Sequence, residues 1–197
     1  MMLRKTARDR IAPRPTSRSS RTWQVAAATA GLAMMAMPVP AAIVATAPAV
    51  DQIAPPASVV LGALESNLRI FAFNERQCFP LPIDLDTDQG HLTAGTKVSC
   101  HLLHMDPVQP PLVLTGKARF NAQILGVISD SADLDASDGA CKWQNTVYPP
   151  AGTEPLRGLE PTQPNDQYNI ILGGLGIQVR MDVQTSSDQV RVITRCD

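Results

Sequence analysis

Much of what would announce an enzyme is missing from this 197-residue sequence. It has no G-x-S-x-G elbow, so the strained strand-to-helix turn that exposes a nucleophilic serine is not encoded. It has no C-x-x-C. Its closest cysteines, Cys78 and Cys100, are 22 residues apart, which does not suit a zinc cage built from close pairs. Beyond residue 50 no run is apolar enough to cross a membrane. No apolar stripe at 3.6-residue spacing occurs there either, so no helix longer than about three turns is expected. There is no internal repeat. Aromatic side chains make up only 4% of the chain, which leaves few candidates for stacking on a ligand.

What is present begins with an asymmetric N-terminus. Arg4, Lys5, Arg8, Arg10, Arg14, Arg18 and Arg21 are opposed only by Asp9, and Trp23–Met37 then carries no charge. A basic stretch leading into an apolar one is the order of a secretory signal. Ala47 and Ala49 have the −3/−1 spacing for cleavage before Val50, and Val39 with Ala41 forms an earlier pair. The expected division is a signal peptide over 1–49, a Pro/Ala-rich leader over 50–57, and one domain over 58–197. An uncleaved anchor over Val25–Val50 is the alternative, although Pro38, Pro40 and Pro48 interrupt it. The absence of an Arg–Arg pair argues against the twin-arginine route. The absence of a cysteine near either cleavage site argues against a lipid anchor.

Residues 50–197 keep 10 basic and 17 acidic side chains, a net −7. An acidic surface repels phosphate backbones, so nucleic acid is not the expected partner. All four cysteines (Cys78, Cys100, Cys141 and Cys196) fall in this part, and an even count in an exported chain reads as two disulfides. Cys100 shares a strand face with Val98 and Leu102, and Cys196 shares one with Val190 and Val192. That favours Cys78–Cys100 with Cys141–Cys196 among the three possible pairings.

Period-two alternation is clearest in Lys117–Ile124, Ile177–Val183 and Gln189–Arg195, each with apolar residues at every second position. Leu68–Phe73, Lys97–Leu103 and Tyr168–Leu172 read as further strands. Gly173-Gly174 supplies a hairpin turn before Ile177. The Pro-rich stretches 107–111 and 148–164 read as loops, and Ala57–Leu64 and Ser131–Ser137 have room only for a helical turn. The fold class is therefore all-β: an antiparallel β-sandwich of jelly-roll or Ig-like type.

Four segments, AGTKVSCHLLHMDPV (94–108), ILGVISDSADLDASD (124–138), RGLE (157–160) and QVRVIT (189–194), resemble a group of secreted bacterial β-sandwich-like proteins. The resemblance implies export and a β-sandwich-like domain, and attaches no activity. The cysteines lie outside the shared pattern.

Candidate sites remain sparse. Asp84, Asp86 and Asp88 alternate as calcium ligands do, but Gln89 stands where an EF-hand needs glycine and no Glu closes the loop at Gly95. A second acidic run, Asp130, Asp133, Asp135 and Asp138, reads as a solvated turn. His101, His104 and Asp106 are zinc-type ligands, yet 101 and 104 lie on opposite faces of a strand. His101 is then expected on the polar face, and Asp106 at an Asp-Pro turn. Ser99 near His101 lacks an orienting acid. Glu75 reads as a strand-end ion-pair partner as readily as a glycosidase acid. Trp143 and Tyr148 share a loop that a disulfide can stiffen, which makes them the candidate recognition platform. The expected product is a secreted, non-enzymatic binding or cell-envelope module that needs no cofactor. The alternative is an extracellular calcium- or metal-dependent hydrolase.

Overall fold

The alternating segments do form strands in the computed structural model, which describes residues 40–159, 163 and 165–196. The protein is mostly β, with several antiparallel sheets, one α-helix among the described residues, and two disulfides. A four-stranded sheet runs in the order β1 (Ile43–Ala47), β8 (Leu112–Phe120), β11 (Gly176–Val183), β10 (Gln167–Ile171). A six-stranded sheet runs β2 (Val50–Gln52), β3 (Ile70–Asn74), β7 (Lys97–Met105), β12 (Asp188–Arg195), β9 (Ile124–Ile128), with β4 (Phe79–Pro80) added to β7. A small hairpin joins β5 (Leu85–Thr87) to β6 (Gly90–Leu92). Among the described residues the β2–β3 pairing is parallel, as is an isolated bridge between Ser58 and Val147. The hairpin between β10 and β11 turns on Gly173 and Gly174, both at positive φ, as their lack of a Cβ allows.

Side-chain alternation gives the two sheets different surroundings. On β8, Gly116, Ala118 and Phe120 are buried while Thr115, Lys117 and Arg119 are exposed, so the four-stranded sheet faces solvent on one side. Ala118, Phe120, Val179 and Met181 share a core with Leu103, Met105, Val190 and Val192 of the six-stranded sheet. The opposite face of that larger sheet is also covered. Val98, Cys100, Leu102 and Ile193 pack there with Leu134 and Cys141 of the helix α1 (Ser131–Cys141) and with Val59 and Tyr148. On β7 only Lys97 is exposed. Gln189 and Arg191, which the alternation puts on a polar face, are wholly buried for this reason.

Double burial also overturns the expected disulfide pairing. The bonds are Cys78–Cys196 and Cys100–Cys141, with Cα separations of 5.3 and 5.6 Å. "Inward" has two meanings on a sheet covered on both sides. Cys100 points to the helix layer and meets Cys141 at the helix end. Cys78 precedes β4 and Cys196 follows β12, and both of those strands border β7 near its start.

The N-terminal boundary moves as well. Residues 43–47 pair with 117–120 as β1, Val50 is a core residue, and the Ile53 N–H donates to Ala72 O at 2.9 Å. The stretch 50–57 is thus not a loose leader, and a cut before Val50 removes a strand. Where the chain crosses from β1 to β2 it lies on Gly116; a Cβ there would fall on Val50 Cγ2 and 2.8 Å from the Pro48 carbonyl.

Non-reducing peptide mapping is expected to recover linked peptides containing Cys78 with Cys196 and Cys100 with Cys141. Reduction of each bond should cost roughly 2–4 kcal/mol of stability, read from denaturant midpoints.

Candidate functional site

Under α1, on the covered face of the six-stranded sheet, lies a closed network of charges. Arg191 of β12 is fully buried, and all five of its N–H donors are used. Nε and Nη2 donate to Glu75 Oε2 and Oε1, each at 2.8 Å, and Nη2 also donates to Asp138 Oδ1 at 2.8 Å. Nη1 donates to the Leu134 carbonyl at 3.1 Å and to Ser137 Oγ. Burial opposes the charge on Arg191, but Glu75 and Asp138 outweigh it and raise the guanidinium pKa further. Arg157 sits beside it, also fully buried, with Nη1 at 2.7 Å from Asp135 and 2.8 Å from Asp138, and Nη2 at 2.9 Å from Gln189 Oε1.

The acidic run that reads as a solvated turn is therefore this helix. Asp130 caps its N-terminus, accepting from Ala132 N at 2.8 Å, while Asp135 and Asp138 turn inward. Its buried stripe is Leu134, Ser137, Asp138 and Cys141, a helical spacing that carries polar residues because it faces two arginines. The loop bearing Arg157 closes on the helix start through Gly158, whose N–H donates to Ser131 Oγ at 2.9 Å. A Cβ at Gly158 would fall on the Ser129 carbonyl oxygen, so this seat needs glycine.

The network reaches the surface through Tyr148. Its hydroxyl donates to Glu75 Oε1 at 2.8 Å and accepts from the Trp143 N–H at 3.2 Å. Burial, followed by the Glu75 charge, pushes the Tyr148 pKa up, so the phenol stays protonated and able to donate. Tyr148 thus positions the loop from behind and does not face solvent. Trp143 is half-buried and lines a groove of about 520 Å³ with Arg76, Gln77, Gly139, Ala140, Lys142 and Gln144. Both walls are fixed. Arg76 N–H donates to Cys141 O at 3.1 Å and Arg76 O accepts from Cys100 N at 2.9 Å. The Arg76 guanidinium lies 4.0 Å over the Phe79 ring.

The other sequence candidates are dispersed. Asp86 Oδ1 lies 2.9 Å from His91 Nδ1, Asp84 accepts from Ala94 N at 2.7 Å, and Asp88 accepts from Ser129 Oγ at 2.7 Å. The Asp86 hydrogen bond raises the His91 pKa. Among the described residues no group of three or more His, Cys, Asp or Glu is placed to hold a metal ion. His101 and His104 do lie on opposite faces, but both are buried. His101 sits between the sheets, with Nδ1 2.8 Å from Asn74 Oδ1, Nε2 2.9 Å from Thr194 Oγ1, and its ring 4.7 Å from that of Phe120. It is therefore not on a polar face. His104, opposite Gln189 in register, has no hydrogen-bond partner on either nitrogen. Ser99 Oγ accepts from Cys78 N at 2.9 Å. Asp106 is buried at its turn and accepts from Gly62 N at 2.6 Å.

Burial pushes the pKa of both His101 and His104 down to about 3, with the Arg157 charge adding to the effect on His104. In the unfolded chain an imidazole titrates near 6.5. Between those values the unfolded state takes up protons that the folded state refuses. The histidines' contribution is therefore whole above pH 6.5 and is lost as pH falls toward 3. From pH 6.5 to 5, urea titrations are expected to show stability falling by up to about 1.4 kcal/mol per pH unit for each histidine. His104→Leu should remove one histidine's share of that slope.

No protein family, curated protein or solved structure matches the chain. Four stretches of the chain, 94–108, 124–138, 157–159 and 189–194, converge in space. His104, Asp135, Asp138, Arg157, Gln189 and Arg191 all come from them, and all lie in or against the buried network. Trp143, Arg76 and Lys142 lie outside these stretches.

Proposed function

We propose that the chain is an exported β-sandwich module that acts by binding a glycan or another envelope polymer, with the Trp143 groove as its contact surface. The observation that carries this reading is the Trp143 ring, left half-exposed in a groove whose two walls are tied to both disulfides. Gln77 adjoins Cys78, and Ala140 and Lys142 flank Cys141. A platform fixed before binding loses little entropy on binding, and an indole is suited to the C–H face of a sugar ring. Among the described residues the lining has amides, cations and the indole, and no carboxylate, histidine or thiol. That composition suits recognition better than acid–base chemistry. The sandwich reading is supported by the single core shared between the two larger sheets.

Export is supported by the basic-then-apolar N-terminus and by the two disulfides, and no described helix is long and apolar enough to cross a membrane. Of the two cleavage sites readable in the sequence, the one after Ala41 leaves β1 whole. Ala42 N–H then still donates to Asn121 Oδ1, at 2.6 Å. N-terminal sequencing of the exported protein is expected to begin at Ala42; a start at Val50 would refute this assignment.

The processed chain keeps Trp143 as its single tryptophan, since Trp23 precedes the cut. Titration with a panel of neutral oligosaccharides is expected to give a saturable change in its fluorescence. Trp143→Ala should abolish binding measured by calorimetry, and Tyr148→Phe, which frees the loop, should weaken it. Binding that survives Trp143→Ala unchanged, or no response to any member of the panel, would overturn the groove as the site.

A further inference from the structure

The second face open to ligands is the solvent side of the four-stranded sheet, remote from α1. Along β8 it carries Arg119, Lys117 and Thr115. The register sets Arg180 opposite Thr115 and Gln178 opposite Lys117, with Gln167 and Asn169 of β10 beyond them. Cations therefore stand at three successive levels of the face, those of residues 119, 117 and 115. Two residues of strand separate one level from the next, a step of about 6.8 Å.

None of Lys117, Arg119 and Arg180 makes an ion pair among the described residues. The domain is acid-rich, yet among the described residues no carboxylate lines either hollow on this face. One hollow, of about 260 Å³, lies between Ala45, Ala47, Ile171 and Leu172 with Lys117 and Arg119 on its rim. The other, of about 180 Å³, is formed by Thr115, Gln167, Asn169, Gln178 and Arg180. Asp182 follows two residues beyond Arg180 on the same strand face, but it is buried and its oxygens accept from Asn165 Nδ2 and Gln184 Nε2. Like charges set side by side on a sheet repel, and an anionic ligand laid over residues 115–119 relieves that repulsion.

We infer that this face binds a linear anionic polysaccharide, one bearing carboxylate or phosphate groups along its length, laid parallel to β8. The three cations would meet successive charges, while the amides and Thr115 offer donors and acceptors for sugar hydroxyls between them. Single-stranded nucleic acid is disfavoured because no aromatic side chain on the face can stack a base. A bilayer is disfavoured because the exposed apolar residues, Val113 at one end and Leu172 at the other, are separated by a polar centre. The inference is independent of the Trp143 groove, which lies on the helix side of the molecule.

Affinity electrophoresis of the folded, oxidised protein tests it, with alginate as the polyuronate probe and dextran as the neutral control. Alginate should retard the protein at low ionic strength, dextran should not, and retardation should vanish by about 0.5 M salt. The exposed triple variant Lys117→Gln/Arg119→Gln/Arg180→Gln, checked for an unchanged melting temperature, should lose at least about tenfold in affinity. Trp143→Ala should leave retardation unchanged. Equal retardation of the triple variant, equal retardation by dextran, loss in Trp143→Ala, or tighter binding to phosphatidylglycerol vesicles than to alginate would each overturn the inference. Should the triple variant melt early, the single variants, compared at matched stability, decide the same question.

Discussion

A guanidinium with no access to water has to find a partner for every N–H it carries, and Arg191 imposes that demand on the whole helix side of the molecule. Its partners come from the end of β3 and from two successive turns of α1. Three of the five bonds end on α1, at Leu134 O, Ser137 Oγ and Asp138 Oδ1. A buried arginine is expensive to desolvate, and stripping it of one partner typically costs about 3–5 kcal/mol because the remaining charge cannot escape. The network therefore contributes less to net stability than to fixing where the helix, the Arg157 loop and the Tyr148 loop may lie. The end of α1 and the Tyr148 loop in turn border the Trp143 groove.

The strands were largely readable because a sheet with one wet face writes its burial in period two. β8 and β11 show this, and so does the Gly173-Gly174 hairpin. Where both faces are covered, the same code misleads. Gln189 and Arg191 occupy positions that look solvent-facing, and only the presence of a second layer shows otherwise. That layer was hard to foresee for the same reason. The inward stripe of α1 is half polar, matched to arginines, so a search for an apolar stripe passes over it. The signal was there in another form: Asp130 has the character of an N-cap, and Asp135 and Asp138 recur at the spacing of one helical turn. Trp143 and Tyr148 were legible as neighbours in one loop. Tyr148 serves as the support of Trp143.

The aspartates at 84, 86 and 88 show the limit of reading composition as a site. Alternation gathers side chains only if the backbone stays extended and nothing nearer competes for them. Here His91 draws Asp84 and Asp86, and Ser129 draws Asp88 across to the strand above the helix. Each carboxylate has a structural errand of its own.

The disulfides are nested, the Cys100–Cys141 bond lying inside the 118-residue span closed by Cys78 and Cys196. Any chain delivered N-terminus first into an oxidising space presents Cys78 and Cys100 together long before Cys196 arrives. Loop closure favours that neighbouring pair, because a short loop closes at less entropic cost than a long one. For a chain so delivered, the native pairing runs against the order in which the cysteines emerge. Under that delivery Cys78 reaches its native partner by staying reduced or by release from a premature bond through thiol–disulfide exchange.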